Sequence, residues 1–289
     1  MAYETLLVEV DPDGICTLTL HRPEALNAFN LTMARELRDF FEHRATADDI
    51  KAVVVTGHGR AFCAGMDLGA EGNVFGLDES LDPTPEALRA NFDDPAWDAG
   101  VRDTGGQVTM AIAALPKPVI AAINGAAVGI GATMTAAMDI RMASTRAKIG
   151  FIFARVGVAP EGTSSYFLPR IVGLQQALEW VFSAEVLTAE KALAGRLLRS
   201  VHEPEDLLPA ALDLARSFVV GHSLQTLAYA KQLMVRGAEG TIMDAHLAES
   251  LAMFHASVGD GKEGVAAFNE KREPDFTGTA STVRRIFPN

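Results

Sequence analysis

The stretch that most constrains the fold runs from Lys117 to Ile140, "KPVIAAINGAAVGIGATMTAAMDI". It is almost wholly apolar and rich in small residues, which suits burial on every side. Asn124, several glycines and Asp139 interrupt it, so it reads as one buried structural unit rather than a membrane span. The pattern predicts a strand in "KPVIAAIN", a helix in "GIGATMTAAM" and a second strand in "DIRMAS". Upstream, "KAVVVTG" is a short, nearly all-apolar run of the kind buried on both faces of a sheet. Strands alternating with helices predict an α/β core with mainly parallel strands.

Other segments are arranged around that unit. "LLVEV" and "CTLTL" flank a "DPDG" bend and predict a hairpin. "LTMARELRDFFEHRA" has apolar positions at helical spacing, with Asn30 as its cap. Residues 69–100 are acidic and punctuated by Pro and Gly, which predicts an inserted surface excursion or lid. "VRDTGGQVTMAIAAL" predicts a helix. From about Thr188 the pattern turns helical, through "PEDLLPAALDLARSFVV", "SLQTLAYAKQLMV" and "TIMDAHLAESLAMFHASV". A boundary near Glu203 divides a core of residues 1–202 from a helical region of residues 203–289.

Composition removes several function classes. At 289 residues, 48% hydrophobic and 21% charged, the chain has material for a sizeable core. A formal net charge of -12 argues against nucleic-acid binding, because phosphate neutralisation needs a basic surface. Cys16 and Cys63 are distant and few, so they read as reduced, inert thiols rather than a disulfide framework or a zinc site. The seven histidines lie before Gly59 or after Val201, a spacing that suggests neither a metal site nor a Ser-His-Asp triad. No secretory or transit pattern is visible and "FPN" is not a peroxisomal signal, so a cytoplasmic protein without membrane attachment is expected.

Two glycine-containing turns from strand to helix are candidates for chemistry, "AFCAGMDLG" and "NGAAVGIGATM". At such turns backbone N–H groups are left without partners, and glycine lets the backbone approach a ligand closely. Two converging amides make an oxyanion hole for charge developing on a carbonyl oxygen. Either turn alone is equally a packing device. "GAAVGIG" superficially matches a dinucleotide fingerprint, but no acidic residue ends a second strand at the required spacing.

The order "HRPEALNAFN", "GRAFCAGMDL", "KPVIAAINGAAVGIG", "MDIRMAS" and "VGVAPEGTSSYFLPRIVG" resembles the crotonase superfamily, the enoyl-CoA hydratase/isomerase group, along essentially the whole chain. The resemblance implies a spiral of repeated ββα units followed by a helical C-terminal trimerisation region. It implies acyl-CoA thioesters as substrates, with CoA part of the substrate and no separate cofactor, and a homotrimer or dimer of trimers. Carried over by motif, the enolate-stabilising amides are those of Met66 and Ile130. The CoA-contacting stretches are Arg22 to Asn27, including Ala25 and Leu26, and Ala64 to Leu68, including Gly65 and Asp67, with Gly129 in the second turn. Lys271 or Arg272 are candidate phosphate contacts.

The side chains then bear on the reaction. Hydratases of this group use two glutamates, and the corresponding positions here are Thr133 and Phe153. Neither residue acts as a general base at neutral pH. Glu161, in "APEGTSSYFLPRIVG", falls on a third position and resembles the single base of peroxisomal-type Δ3,Δ2-enoyl-CoA isomerases. A proton shift from C2 to C4 needs only one base, and an apolar setting strengthens a carboxylate in that role. A structural reading stays open beside it, since a carboxylate near a helix start complements the helix dipole. Asp67 reads as a cap or brace and Asp139 as a bonded structural carboxylate; Arg155 and Arg170 are possible partners for Asp139 or Glu161. A hydratase with an atypical base and a non-catalytic acyl-CoA binder are the alternatives. A dehalogenase, which the resemblance would give an aspartate nucleophile at this position, is disfavoured because its histidine and tryptophan are absent.

Overall fold

A computed structural model describes residues 3–69 and 73–288. The N-terminal hairpin forms as its pattern predicts: β1 (Leu6–Val10) pairs antiparallel with β2 (Ile15–Leu20). Helix α1 (Leu31–Glu42) follows, and the Asn30 side chain accepts the Met33 amide at 2.8 Å, satisfying one first-turn donor.

The chain then repeats two strands and a helix. β3 (Ala52–Gly57) and β4 (Ala61–Cys63) precede the excursion, which holds the short helices α2 (Pro85–Ala90) and α3 (Pro95–Gly100) before α4 (Thr104–Ala114). β5 (Val119–Ile123) and β6 (Ala126–Val128) lead into α5 (Ile130–Ala136). β7 (Ile140–Ser144) and β8 (Lys148–Gly150) lead into α6 (Phe153–Val156), α7 (Ser164–Val172) and α8 (Leu174–Ser183). β9 (Val186–Thr188), α9 (Ala189–Ala194) and β10 (Ser200–His202) close the set. The sequence pattern marked neither late strand, and β10 falls where it indicated helix, because three residues are too few to show an alternation.

The first strands of the pairs β3/β4, β5/β6 and β7/β8 join one sheet with the hairpin and β10, ordered β1-β2-β3-β5-β7-β10. Their second strands join another with β9, ordered β4-β6-β8-β9. Among the described strand pairings, only β1 with β2 and β8 with β9 are antiparallel. Each ββα unit therefore adds one strand to each sheet, and the chain advances as a spiral with a mainly parallel core.

Alternation along β3 serves two apolar layers. Val53 and Val55 enter the main core with Phe40, Phe62 and Ile123, whereas Ala52 and Val54 face outward. The outer face is covered by α10 (Pro204–Val219), whose Leu207, Ala211 and Ala215 recur at four-residue spacing. The change of pattern near Glu203 coincides with the N-cap of this helix. Beyond it lie α11 (Leu224–Arg236), α12 (Ile242–Val258) and α13 (Asp260–Glu270). From α11, Lys231 donates to Asp139 Oδ2 and to the Lys117 carbonyl, both at 2.9 Å, and the Val119 amide donates to the same Asp139 oxygen at 2.7 Å. Asp139 is thus a bonded structural carboxylate whose cation is Lys231, not Arg155 or Arg170; Arg170 instead lies over the Tyr166 ring. Helix α12 buries Ala248 and Ala252 while Ile242, Met243 and Phe254 stand exposed. No described helix is long and apolar enough to cross a membrane.

Candidate active site

The two glycine turns meet where the second sheet begins. After β4 the chain passes Gly65 at a φ of +106°, a conformation open to glycine at little cost. The Phe29 amide donates to the Gly65 carbonyl and the Asp67 amide to the Phe29 carbonyl, both at 2.8 Å. The parallel bridge between Phe29 and Met66 thus uses the groups on either side of Met66. Because successive amides in extended chain point to opposite sides, the Met66 N–H faces away from Phe29. On the other turn Gly129, at a φ of +54°, caps α5 and makes Ile130 its first residue. The Ile130 amide is therefore among the first-turn donors that lack an intrahelical partner. The turns are in contact: a Cβ placed on Gly65 would lie 3.1 Å from the Val128 carbonyl oxygen.

Glu161 stands opposite, in the turn before α7. The Ser164 amide and hydroxyl both donate to its carbonyl, at 3.1 and 2.7 Å, which closes the turn. Its side chain does not cap α7, whose N-cap is Thr163. It reaches inward instead, where the Thr133 hydroxyl donates to Oε1 at 2.8 Å. Oε2 lies against Gly105, in the space that a Cβ on that residue would fill. Burial pushes the carboxyl up to about 8; the Asp103 charge adds to the rise and the Thr133 hydrogen bond opposes it.

These parts line a cavity of about 470 Å³. Ala64, Gly65, Met66, Leu68, Gly129, Ile130 and Glu161 all contribute to its wall, and Phe153 closes part of it with a buried ring. Arg22, Ala25, Leu26 and Asp67 lie outside that lining. Arg22 donates to the Ala28 carbonyl at 2.6 Å and to Asp67 at 2.9 Å, and the ion pair holds the Asp67 carboxyl below its usual range. Leu26 and Asn27 sit at a φ of 54° each; the buried Asn27 side chain accepts the Arg22 amide and donates to the Ala61 carbonyl, both at 2.8 Å. This loop backs the Met66 turn. Lys271 and Arg272 do not line the cavity, and Arg272 is bonded to Glu263 and Glu270. Cys16 and Cys63 are buried free thiols, and burial pushes both up to about 12.

Asp103 is the titratable residue of the cavity wall that sequence reading did not single out. It precedes α4 and accepts the amides of Gly105 at 3.0 Å and Gly106 at 2.9 Å. It also accepts the Gly162 amide at 2.7 Å, across 59 residues of sequence. "DTGG" carried a local signal, an aspartate at an N-cap, but nothing local announced the third bond. Thr133 is similarly recast. Its position suggested a missing glutamate, and in the fold it is the hydroxyl that holds Glu161.

A family model described as enoyl-CoA hydratase/isomerase matches residues 11–279. An enoyl-CoA hydratase of Alternaria alternata is 36% identical over 93% of this chain and 85% of its own length. The 1,2-epoxyphenylacetyl-CoA isomerase of Escherichia coli is 35% identical over 92% of this chain and 95% of its own. Among solved structures, one described as a putative enoyl-CoA hydratase from Streptomyces coelicolor superimposes with a TM-score of 0.82 at 30% identity, covering 96% of this chain and 95% of that one.

Proposed function

The chain belongs to the enoyl-CoA hydratase/isomerase family, and we propose that within it the protein moves a C3 double bond of an enoyl-CoA thioester to C2. The observation that carries this reading is Glu161: a half-buried carboxylate in the cavity wall with one oxygen held by Thr133 and the other against Gly105. In the proposed reaction the Glu161 carboxylate takes a proton from C2, and the electron pair spreads over C2, C4 and the thioester oxygen. The Met66 and Ile130 amides donate to that oxygen as its charge grows. Glu161 then returns its proton to C4, and the new double bond lies between C2 and C3. The step is internally balanced, with CoA carried as part of the substrate and no separate cofactor required.

Elevation of the Glu161 pKa serves the chemistry in both directions. A carboxyl at about 8 takes a carbon-bound proton more readily than an ordinary glutamate and remains able to give it back. The apolar wall, with Phe153 and Ile130, excludes the water that would otherwise quench the enolate.

A second reading, hydration across the double bond, draws on the relatives named hydratases and on Asp103, a second carboxylate in the wall. Asp103 is exposed and its oxygens are taken by three amides, which favours the single-base reaction. One paired assay separates the two: absorbance at the enoyl-thioester band with 3-hexenoyl-CoA and with crotonyl-CoA. Gain with the first alone supports isomerisation, and loss with the second supports hydration. Binding without either change leaves an acyl-CoA binder. The exposed apolar residues of α12 and α13, among them Ile242, Phe254 and Phe268, suit burial between copies in the proposed homotrimer or dimer of trimers.

A further inference from the structure

The strongest unassigned feature of the cavity is the tether between Asp103 and the Glu161 turn. We propose that Asp103 is a positioning residue, its carboxylate fastening the start of α4 to the turn that carries Glu161. The inference rests on Glu161 being the base and adds what aims it.

Capping explains only part of the Asp103 geometry. An N-cap side chain satisfies the second and third amides of its own helix, here Gly105 and Gly106. The third bond, from Gly162, does nothing for α4 and is the shortest of the set at 2.7 Å. Gly162 and Thr163 both adopt left-handed backbone, at φ of 62° and 50°. Such a conformation costs free energy at a threonine and persists where surroundings enforce it. Helix α4 supplies that enforcement twice, through Asp103 to the Gly162 amide and through Thr109 to the Thr163 hydroxyl at 2.8 Å.

The glycines of α4 complete the device. A side chain at Gly105 would occupy the place of Glu161 Oε2, and a Cβ on Gly106 would lie 2.7 Å from Asp103 Oδ2. With both glycines the two carboxylates approach from the same end of one helix. The groups facing Glu161 are Asp103 from the α4 start, the Thr133 hydroxyl from α5 and the Cys63 thiol from β4, which stays neutral. Among the described lining residues there is no cation, so Asp103 supplies the one fixed charge acting on the base. A nearby like charge disfavours ionisation, so the same residue that aims Glu161 also strengthens it.

The test uses Asp103→Ser, which keeps one side-chain oxygen for the α4 cap but removes the charge and the oxygen that accepts from Gly162. With 3-hexenoyl-CoA, kcat is expected to fall about ten- to hundredfold, as for a base moved by an ångström, while KM stays within a fewfold of the parent. The pH midpoint of Glu161 is followed by 13C NMR on protein labelled at the glutamate carboxyl carbon, with the resonance identified by its loss in Glu161→Gln. That midpoint is expected to move below about 8. A folded Asp103→Ser protein with unchanged kcat and unchanged midpoint overturns the inference, as does a lowered melting temperature alone. If Asp103→Ser does not fold, Asp103→Asn gives the same readings, since it too lacks the charge and retains a cap. The titration needs no turnover. A shifted midpoint in a protein that never isomerises 3-hexenoyl-CoA removes the isomerase reading and leaves the positioning role standing; an unshifted midpoint with unchanged kcat in an active enzyme does the reverse.

Discussion

The start of α4 and the turn before α7 each place one carboxylate in the wall of the same cavity, yet the two environments differ. Asp103 accepts three amides, two from its own helix and one from Gly162. Glu161 accepts one hydroxyl bond, from Thr133, and its other oxygen lies against Gly105. A carboxylate held by three amides is pinned in place and becomes a fixture. One that is buried with few donors keeps its proton longer and becomes a working base. Exposure separates them as well: Asp103 is exposed, whereas Glu161 is half-buried and desolvation is the main cause that raises its carboxyl.

The comparison breaks most visibly at Glu161. Glu161→Gln is expected to lower kcat for 3-hexenoyl-CoA by about 10²–10⁴, the usual contribution of a positioned base. The same change should stabilise the fold at alkaline pH. Burial raises this carboxyl from 4.5 to about 8, so between those values the folded chain holds a proton that the unfolded chain has lost. Parent stability therefore falls as pH rises through that window, and the glutamine variant escapes the fall. The gap read by chemical denaturation should reach a few kcal/mol, as an order of magnitude, above about pH 8. Equal stability of the two proteins at pH 5 and pH 9 would show that Glu161 titrates as an ordinary surface carboxyl.

Gly105→Ala tests the shared space between the regions. A methyl group there collides with Glu161 Oε2 and with the Ile130 side chain. Overpacking of this kind costs about 1–3 kcal/mol, and displacement of the base should cost kcat about a hundredfold. Retention of near-parent kcat would mean that Glu161 works from another rotamer. Thr133→Val removes the one hydrogen bond that favours the charged form of Glu161, so the kcat/KM midpoint should move above about 8 and the rate at pH 7 fall about tenfold. The loss should shrink as pH is raised, and a loss independent of pH would point to a packing effect. The smallest change expected is Asp67→Asn, at a third carboxylate outside the lining. It should cost about 1 kcal/mol or less in stability and leave the Glu161 midpoint where it was.

Much of the scaffold follows from short-range pattern. The hairpin, the Asn30 cap, the both-face burial of β3 and the strand-turn-helix of the central apolar stretch each arise from side chains a few residues apart. Glycine and helix-start chemistry likewise mark the two turns as candidate donor sites, and the family resemblance picks out Met66 and Ile130 within them. What escaped the pattern was either too short or too distant. β9 and β10 have three residues each, too few for a period. The binding of Asp139 by Lys231 spans 92 residues, and neither charge carries a mark of the other.

The amino-acid order by itself determined the alternation of strands and helices, the two donor turns and the isolation of Glu161 in an apolar segment. Tertiary structure alone decided that Thr133 would serve as the donor to Glu161 and that Asp103, 59 residues away from Gly162, would hold the turn of the base. The physical reason is one of range. Backbone conformation is set largely by neighbours along the chain, whereas the burial and the donors that distinguish the two carboxylates arrive only when separate turns of the spiral close on the same cavity.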